Sequence, residues 1–296
     1  MSADAGHSLA RRSRGVYFLA NDGMFEFAIA FLNSFRTHNP DIALCLIPYD
    51  SAVERLIGLE REYAFCVWSD LAALESCDEI SMRFHGTALG QYRKLAAWEG
   101  NYEDFVYIDT DTVVLESIGF AFDLLRSFAF LLLESNVAKA RKWVWRDSIS
   151  QTGRLTEEQI AFAANTGFIA SRKGALTLSG VRSKLPGALQ LAPHMELLCT
   201  EQPLLNYLIT TSGEKYTSNI LLRRRHGRWK LPIQRWAGNA IGTVREGRIV
   251  EPLYPRVVLV HWAGEWRKLA GGCLPHYDLW RYYRELRTGI TSAQSV

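Results

Sequence analysis

The sequence lacks the features that would place it in a specialised class of protein. Its five cysteines show no CxxC spacing, so the pattern predicts neither a disulfide framework nor a structural zinc site. The net charge of +3 is too small to indicate a nucleic-acid partner, although basic residues cluster over 223–230. The sequence also contains no repeat, low-complexity tract or long linker. With 48% hydrophobic and 22% charged residues, the composition is that of an ordinary globular protein.

Little in the sequence could enter a membrane. The first 14 residues are polar and include three arginines, without the apolar core of a secretory signal. The longest apolar stretch, residues 118–133, carries Asp123 and Arg126 near its middle, which a lone membrane helix would tolerate poorly. Together with an odd number of cysteines in mainly apolar surroundings, these features predict a cytoplasmic protein. We expect a flexible segment over residues 1–14 and a single domain over residues 15–296.

Strands and helices alternate through the first part of the sequence. Apolar runs typical of strands stand at 15–20, 43–48, 64–68 and 105–108. Helical patterns between them cover 53–62, 71–76 and 88–98. Such alternation predicts an α/β fold with a parallel, doubly wound sheet and helices on both of its faces. Further strands are predicted at 162–170 and 257–260.

An acidic motif, Asp109-Thr110-Asp111, directly follows the apolar run that ends at Ile108. In open α/β sheets, ligands bind beyond the carboxyl ends of the strands. Two carboxylates one residue apart can both bind a hard divalent cation and leave positions for diphosphate oxygens. The metal then offsets the charge of a departing diphosphate. Short acidic motifs recur by chance, so the functional interpretation of this motif depends on the predicted strand that precedes it.

The same string, continued by Thr112 and Val113, also resembles the phosphatases of the haloacid dehalogenase type. That class requires a further acidic cluster downstream, and no Gly-Asp-x-x-x-Asp or Asp-Asp follows in this sequence. Its nucleophile also usually lies near the start of its core domain rather than after three strands. We therefore keep such a phosphatase, acting through Asp109 and Asp111, as an alternative interpretation.

Five further segments, in order along the chain, resemble the motifs of one family. They are Leu19-Ala20-Asn21-Asp22, Lys94-Leu95, Asn165-Thr166-Gly167-Phe168, Glu201-Gln202-Pro203-Leu204-Leu205-Asn206 and the stretch from His261 to Lys268. Together with the acidic motif they resemble glycosyltransferases of the GT-A fold. Among these, they are similar to the retaining family 8 group, which contains glycogenin and the bacterial lipopolysaccharide galactosyltransferases. The resemblance runs from Gly15 to about Lys268, and its weight lies in the order of motifs that are individually weak.

The resemblance implies the GT-A fold, a Rossmann-like nucleotide-binding mixed sheet flanked by helices. It implies a nucleotide-binding half over about residues 15–115 and a donor and acceptor half over about residues 116–270. The implied reaction moves a hexose, glucose or galactose first, from a UDP-sugar to an acceptor hydroxyl with retention of configuration. The implied metal is Mn²⁺ or Mg²⁺. The acceptor would be a saccharide, a lipid-linked compound or a small molecule, and no nucleic-acid partner is expected.

The family's functional positions fall on three groups of residues in this sequence. The implied metal ligands are Asp109, Asp111 and His261. The implied catalytic residues, which would hold the donor sugar and stabilise positive charge at its anomeric carbon, are Glu201 and Gln202. The implied donor-binding residues are Ala20, Asn21, Asp22, Lys94, Thr110, Asn165, Gly264, Arg267 and Lys268.

The chain departs from the family's pattern at three positions. Met24 stands where an aromatic residue often stacks on the base, with Phe25 beside it. Glu201 replaces the usual aspartate. Arg267, followed by Lys268, stands at the position of the family's lysine, and an arginine binds phosphate well through two parallel hydrogen bonds. A second alternative function is therefore a non-catalytic module that binds a nucleotide-sugar without transferring it.

Aromatic residues outside these motifs give two further hypotheses. Flat aromatic rings suit stacking on sugars, so four tryptophans are candidates to line an acceptor cleft, with packing as the alternative role: Trp143, Trp145, Trp229 and Trp236. A basic, aromatic helix is predicted at about residues 275–288. We expect it to dock on the domain with its arginines in water, and the alternative is a peripheral contact with an anionic membrane surface.

Overall fold

A computed structural model of the protein describes residues 13–250 and 256–286. The predicted flexible segment over residues 1–14 lies almost entirely outside these ranges. The strands of the described residues are β1 (Arg14–Ala20), β2 (Ala43–Pro48), β3 (Phe65–Val67), β4 (Asp104–Asp109), β5 (Thr112–Val114), β6 (Phe130–Leu132), β7 (Phe168–Arg172), β8 (Tyr216–Ser218), β9 (Ile233–Trp236), β10 (Val244–Arg245), β11 (Arg248–Ile249) and β12 (Val257–His261).

The α-helices are α1 (Phe25–His38), α2 (Glu54–Ile57), α3 (Glu60–Tyr63), α4 (Leu71–His85), α5 (Gly119–Leu124), α6 (Ala138–Arg141), α7 (Glu157–Phe162), α8 (Leu178–Leu191), α9 (Gln202–Thr210), α10 (Asn219–His226) and α11 (Tyr277–Glu285). Turns of 3-10 helix occupy Asp22–Met24, Gly90–Glu99, Asp147–Thr152, Ala192–His194, Leu197–Cys199 and Glu265–Leu269.

A seven-stranded mixed sheet in the order β3-β2-β1-β4-β7-β6-β8 forms the centre of the fold. β3, β2, β1 and β4 are parallel to one another. β7 runs antiparallel to both β4 and β6, and β8 is parallel to β6. The parallel arrangement predicted from the sequence is therefore right for the first four strands. The mixed sheet that the family resemblance implies is confirmed for the sheet as a whole.

A second, three-stranded sheet in the order β5-β12-β9 stands beside the end of β4. β12 pairs antiparallel with β5 and parallel with β9. Because β5 begins three residues after β4 ends, this sheet brings a strand from the end of the chain to the carboxyl edge of the main sheet. A short antiparallel ribbon, β10 and β11, lies farther along the chain.

Apolar side chains fill both faces of the main sheet. In β4, Phe105 and Tyr107 join one core cluster, and Val106 and Ile108 join the other, because side chains alternate along a strand. Helices α4, α8 and α9 contribute to the first cluster, and α1 and α5 contribute to the second. β4 is thus buried on both faces, which explains why it reads as a continuous apolar run.

The predicted C-terminal helix forms as α11 and docks on the domain. Leu279, Trp280 and Tyr283 are buried in a core cluster that also includes residues of α1. The backbone carbonyl of Tyr283 accepts a hydrogen bond of 2.7 Å from Asn33 Nδ2 in α1. Arg281, on the opposite side, is exposed. Within the described ranges, none of the helices combines the length and the apolar character that crossing a membrane requires.

Two predicted helices take a different form. The pattern over 53–62 is divided at Gly58 into α2 and α3, because glycine is a poor helix former. The pattern over 88–98 forms a 3-10 helix, Gly90–Glu99, rather than an α-helix. A 3-10 segment of this length is uncommon because its hydrogen bonds are poorly aligned.

The predicted strand over 162–170 begins later than expected. Phe162 ends α7, whose start is fixed by a capping box in which Thr156 and Gln159 each bond the other's backbone. The strand β7 starts only at Phe168, so the intervening loop carries the Asn-Thr-Gly motif. The Thr-x-x-Gln signal was readable in the sequence and would have corrected the boundary.

Candidate functional site

Two strand ends bring the acidic motif and the histidine together. Asp109 is the last residue of β4, in the parallel part of the main sheet. Asp111 lies in the two-residue turn that leads to β5. Across the β5–β12 ladder, Thr112 pairs with His261, which is the last residue of β12. The acids therefore lie at the carboxyl end of a buried strand, as the sequence pattern predicts.

Asp109, Asp111 and His261 form a group with the composition and spacing of a metal site. One ligand atom from each residue lies within 4.8 Å of the others. His261 Nε2 is 3.0 Å from Asp111 Oδ1 and 3.7 Å from Asp109 Oδ2. Two carboxylate oxygens and one imidazole nitrogen suit a divalent ion such as Mn²⁺ or Mg²⁺. The residues present thus fit the metal that the family resemblance implies.

Gly167 leaves room for this group. A Cβ atom at position 167 would lie 2.3 Å from His261 Cε1, 2.8 Å from His261 Nδ1 and 3.0 Å from Asp109 Oδ2. Contacts of that length between heavy atoms are repulsive, so any larger residue would displace the imidazole or the carboxylate. The backbone carbonyl of Gly167 also accepts a hydrogen bond of 2.9 Å from the Asp109 amide. The glycine of the Asn-Thr-Gly motif therefore shapes the metal-ligand group directly.

A buried lysine links the metal-ligand group to a glutamate. The side chain of Lys94 is 3% exposed, and its Nζ lies 3.2 Å from Asp109 Oδ1 and 2.5 Å from Glu201 Oε1. Tyr107 donates a hydrogen bond of 2.7 Å to the same Asp109 oxygen. A lysine is almost never buried this deeply unless its charge is paired. Here two carboxylates supply that pairing.

The pKa values of this cluster follow from burial and from opposite charge. Burial by itself would lower the pKa of Lys94, but Asp109 and Glu201 outweigh it, so the pKa is raised above its usual value. Burial would raise the pKa of Asp109, yet Lys94 and His261 hold it below the usual range. Burial would lower the pKa of His261, and the neighbouring Asp111 raises it instead. At Lys94, Asp109 and His261, neighbouring opposite charges thus outweigh the effect of burial on the pKa.

The backbone before Glu201 adopts a conformation that L-residues rarely take. Thr200 has φ 53° and ψ −112°, outside the common regions for a residue with a side chain. Its hydroxyl donates a hydrogen bond of 2.5 Å to Glu201 Oε2. The other oxygen, Oε1, accepts a hydrogen bond of 3.3 Å from the Thr166 hydroxyl and contacts Lys94. Glu201 is therefore held at both oxygens.

Gln202 connects the Asn-Thr-Gly loop with the backbone of Trp143. Its Oε1 accepts hydrogen bonds from Asn165 Nδ2 at 3.4 Å and from the Thr166 amide at 3.2 Å. Its Nε2 donates to the Trp143 carbonyl at 3.0 Å. Asn165 Oδ1 in turn accepts a hydrogen bond of 3.0 Å from the Gly167 amide. The implied catalytic residues and Asn165 thus belong to the same hydrogen-bonded network as the metal-ligand group.

The first strand and its loop form contacts of their own. Ala20 is buried, and its carbonyl accepts a hydrogen bond from the amide of Tyr49, the residue after β2. Asn21 Nδ2 donates to Asp50 Oδ2 at 2.7 Å. The carboxylate of Asp22 accepts from two backbone amides at the start of α2, each at 3.1 Å. Negative charge there is stabilised by the helix dipole, so Asp22 has a structural role whatever it binds.

Thr110 also points into the protein, because its hydroxyl donates to the Leu19 carbonyl at 2.7 Å. It is buried between the two acids, and this bond ties the acidic turn to β1. Its implied role in donor binding stays a prediction. Because the hydroxyl is already bonded, Thr110 would bind the donor through its backbone atoms.

The last motif surrounds a short 3-10 helix that starts after Gly264. Gly264 has φ 75°, a left-handed conformation that favours glycine. Arg267 is exposed, and its guanidinium lies 4.6 Å from the centre of the Trp266 ring. Lys268 is exposed as well, and its Nζ lies 2.6 Å from Glu265 Oε2. The two cations are thus held by local contacts, and their implied role in diphosphate binding remains a prediction.

The four tryptophans have different environments. Trp145 is 2% exposed and packs in the main core, so it is unavailable to an acceptor. Trp143 is 48% exposed and lies next to Gln202 through its backbone. Trp236 is the last residue of β9 and pairs with His261 across the sheet, and Lys139 Nζ lies 4.9 Å from its ring centre. Trp229 is exposed at the end of α10. Trp143 is therefore the best placed of the four.

Sequence reasoning missed five residues that shape the site: Tyr107, Glu134, Thr166, Gly167 and Thr200. Tyr107 had a signal, because it stands two residues before Asp109 and must share its face of β4. Thr166 and Gly167 lay inside a recognised motif without a role of their own. Glu134 is held by a 3.3 Å hydrogen bond from Gln234, and burial raises its pKa. No sequence pattern indicates a role for Glu134 or the unusual backbone conformation of Thr200.

Comparison with known proteins finds the same fold. No family model and no curated protein matches the sequence. Among solved structures, the galactosyltransferase LgtC, in complex with donor and acceptor sugar analogues, matches with a TM-score of 0.59 at 12% identity, over 94% of this chain and 98% of that one. Mouse xyloside xylosyltransferase 1 matches with a TM-score of 0.51 at 11% identity, over 84% and 97%. Both are glycosyltransferases by name.

The bifunctional glycosyltransferase WbbM matches with a TM-score of 0.53 at 13% identity, over 95% of this chain. That match covers 51% of WbbM, so this chain spans about half the length of that protein. Identities this low establish the fold alone. Taken together, the mixed sheet, the order of its strands and these neighbours confirm that the chain has the GT-A-like fold of family 8 type glycosyltransferases.

Proposed function

We propose that this protein is a metal-dependent, retaining glycosyltransferase that moves a hexose, glucose or galactose, from a UDP-sugar to an acceptor hydroxyl. One observation carries the proposal. Asp109, Asp111 and His261 converge at the carboxyl edge of the sheet, and the buried pair of Lys94 and Glu201 lies directly beside them. A metal-ligand group next to a buried, charged pair offers separate places for a diphosphate and for the sugar attached to it.

The donor side of the proposal assigns roles to the charged groups. Asp109, Asp111 and His261 would hold Mn²⁺ or Mg²⁺, and the ion would supply positive charge to the diphosphate leaving group. Arg267, with Lys268 beside it, would reach the same phosphates from the exposed segment after β12. The loop formed by Asn21 and Asp22 would contact the nucleoside.

The sugar side of the proposal rests on Glu201 and Gln202. Positive charge develops at the anomeric carbon as the bond to the diphosphate breaks, and a carboxylate nearby stabilises it. Thr166 and Thr200 hold the Glu201 carboxylate in place, so little reorganisation is needed when that charge appears. Gln202 and Asn165 would bind hydroxyls of the hexose. The acceptor hydroxyl would attack on the face that the diphosphate leaves.

The acceptor side is proposed from one exposed aromatic residue. Trp143 is half exposed, and its carbonyl accepts a hydrogen bond from Gln202, so its ring would border the proposed sugar position. A flat aromatic ring next to a hexose favours a saccharide acceptor, because sugar rings present apolar faces to such surfaces.

Isothermal titration of the protein with UDP, with and without Mn²⁺, tests the donor site. We expect binding that requires the metal and that Asp111→Asn abolishes, because the substitution removes a ligand charge and keeps the shape of the side chain. Asp123→Asn, at an exposed carboxylate on α5, is the matched control and should bind UDP as the unchanged protein does. Failure of every nucleoside diphosphate to bind would overturn the proposal.

A second measurement separates transfer from binding alone. Slow hydrolysis of a UDP-hexose, with water as the acceptor, is expected from the unchanged protein and is expected to fall strongly in Glu201→Gln. Metal-dependent binding without hydrolysis or transfer to any saccharide would identify a binding module instead. The phosphatase alternative is not favoured, because the three similar structures described above are glycosyltransferases by name. Release of phosphate from simple esters would restore it.

A further inference from the structure

Two cysteines stand side by side on neighbouring strands, away from the candidate site. β2 and β3 are parallel, and Cys45 is the register partner of Cys66. Register partners on adjacent strands direct their side chains to the same face of a sheet. Cys45 is 5% exposed, whereas Cys66 is exposed at the surface. The sheet therefore holds one buried and one accessible thiol next to each other.

The geometry of the strands allows the two sulfurs to be joined. Adjacent strands lie about 4.8 Å apart, and disulfides bridge Cα atoms separated by about 4.4–6.8 Å. β3 has three residues and is the edge strand of the sheet, so it is restrained by β2 on one side only. A small shift of β3 would thus bring the sulfur atoms to bonding distance without disturbing the rest of the sheet.

A tyrosine completes the cluster. The ring of Tyr102 occupies the space above Gly15, where a Cβ atom would lie 2.3 Å from the ring. Its backbone amide donates to the Tyr17 hydroxyl at 3.3 Å, and the two rings are 5.0 Å apart. Tyr102 is therefore fixed in position, and its hydroxyl affects the pKa of Cys66.

The interactions within the cluster make the two thiols unequal. A hydrogen bond from Cys45 lowers the pKa of Cys66 to about 6, and the Tyr102 hydroxyl contributes in the same direction against the effect of burial. The same hydrogen bond, together with burial, raises the pKa of Cys45. Thiolates rather than thiols react with oxidants, so near neutral pH the exposed cysteine is the reactive member and the buried one keeps its proton.

We propose that Cys45 and Cys66 form an oxidant-reactive thiol pair that hydrogen peroxide converts into a disulfide. The Cys66 thiolate attacks one peroxide oxygen, the O–O bond breaks, and Cys66 becomes a sulfenic acid while hydroxide leaves. Cys45 then attacks the Cys66 sulfur, the S–O bond breaks, and the thiol proton leaves with the oxygen as water. In total, two thiols lose two electrons and the peroxide is reduced to two molecules of water.

The other three cysteines do not share this arrangement. Cys77 is fully buried in the core, and burial raises its pKa. Burial also raises the pKa of Cys199, to about 11. Cys273 is exposed on a different surface, where its sulfur contacts the Gly271 carbonyl. Cys273 therefore serves as the internal control, because it is accessible but has no neighbouring thiol in the described residues.

The experiment treats the reduced, full-length protein with hydrogen peroxide, removes the oxidant and counts thiols in denaturant. We expect the loss of two of the five thiols, a cross-linked peptide that joins Cys45 to Cys66, and recovery of both thiols with dithiothreitol. Cys273→Ser should form the same cross-link. Oxidation of Cys66 to a sulfinic acid without the cross-link, or oxidation of Cys273 while the pair stays reduced, would overturn the proposal in the unsubstituted protein.

Two variants test the assignment of roles within the pair. In Cys45→Ala, Cys66 should still react but should accumulate as a sulfinic acid that dithiothreitol cannot reduce. In Cys66→Ser, Cys45 should remain reduced. The rate of alkylation of Cys66 by iodoacetamide should rise through about pH 6 in the unsubstituted protein and at higher pH in Cys45→Ala. An unchanged pH profile in that variant would contradict the role assigned to Cys45.

Discussion

Two parts of the candidate site differ in how their charged groups are held. Lys94 is buried between Asp109 and Glu201, and these contacts join the 3-10 helix Gly90–Glu99 to the end of β4 and to the residue before α9. Arg267 and Lys268 are exposed, and their contacts stay within the short helix that carries them. The first part is held by contacts between residues that are distant in the chain, whereas the contacts of the second part are with near neighbours in sequence.

This difference has an energetic meaning. Preorganised charges in a water-excluded site act strongly on a transition state because they need no reorientation. Exposed cations are screened by water and salt, so they contribute mainly to binding the ligand. Substitutions in the buried part should therefore reduce both stability and turnover. Substitutions in the exposed part should weaken ligand binding and leave stability unchanged.

The largest effect is expected from Lys94→Met. The substitution leaves Asp109 and the buried Glu201 adjacent and without their shared cation, and breaking a buried pair in this way costs about 3–5 kcal/mol of the free energy of unfolding. Urea denaturation in the absence of divalent ions would measure it. The matched control is Arg182→Met, which removes an exposed ion pair with Glu79 and should cost less than about 1 kcal/mol. Equal losses of unfolding free energy in Lys94→Met and Arg182→Met would contradict the stabilising role assigned to the buried cluster.

A smaller effect is expected from Gly167→Ala. Because the added Cβ would contact His261 and Asp109, the ligand atoms must separate, and affinity for Mn²⁺ should fall by roughly 10–100-fold, as for other changes that disturb the surroundings of metal ligands. Isothermal titration with Mn²⁺ would measure the loss. In Gly119→Ala, where the nearest atom is 3.5 Å away, the affinity should be unchanged. A Gly167→Ala protein with normal affinity would show that the metal lies elsewhere.

The exposed part is tested by Arg267→Ala and Lys268→Ala. Lys268 is already paired with Glu265, whereas the guanidinium of Arg267 lies over the Trp266 ring, so Arg267 should be the residue that binds diphosphate. We expect UDP affinity to fall about tenfold in Arg267→Ala, the loss of one charge-assisted contact, with an unchanged melting temperature. A larger loss of UDP affinity in Lys268→Ala than in Arg267→Ala would assign the role to Lys268.

The two parts also differ in how far the sequence could predict them. Asp109, Asp111 and His261 belong to motifs with fixed local spacing, and the carboxyl end of a buried strand is a place where such acids collect. The contact between Lys94 and Glu201 joins residues far apart in the chain, and only the packing of α9 against the main sheet creates it. The resemblance named both residues without indicating that they form an ion pair.

Backbone conformation sets the other limit of prediction. Thr200 adopts a positive φ that its side chain disfavours, and no local pattern of residue types announces such a position. The 3-10 helix that carries Lys94 has an ordinary helical pattern, so the sequence predicts the segment and not its geometry. The order of the motifs and the alternation of strands and helices can be predicted from the sequence pattern. Strained or tightened backbone is instead determined by the tertiary contacts around it.

The smallest effect concerns His38, a half-buried group whose pKa, unlike that of Lys94, is not raised by a neighbouring opposite charge. Burial lowers the pKa of His38, Arg248 lowers it further, and its Nε2 lies 3.1 Å from the Tyr283 hydroxyl in α11. A histidine with a depressed folded pKa stabilises the protein above its unfolded pKa of about 6.5, and this stability is lost as the pH falls through the folded value. Melting temperatures should therefore decline less on acidification in His38→Gln than in the unsubstituted protein. Equal declines of the melting temperature in the two proteins would show that protonation of His38 does not destabilise the fold.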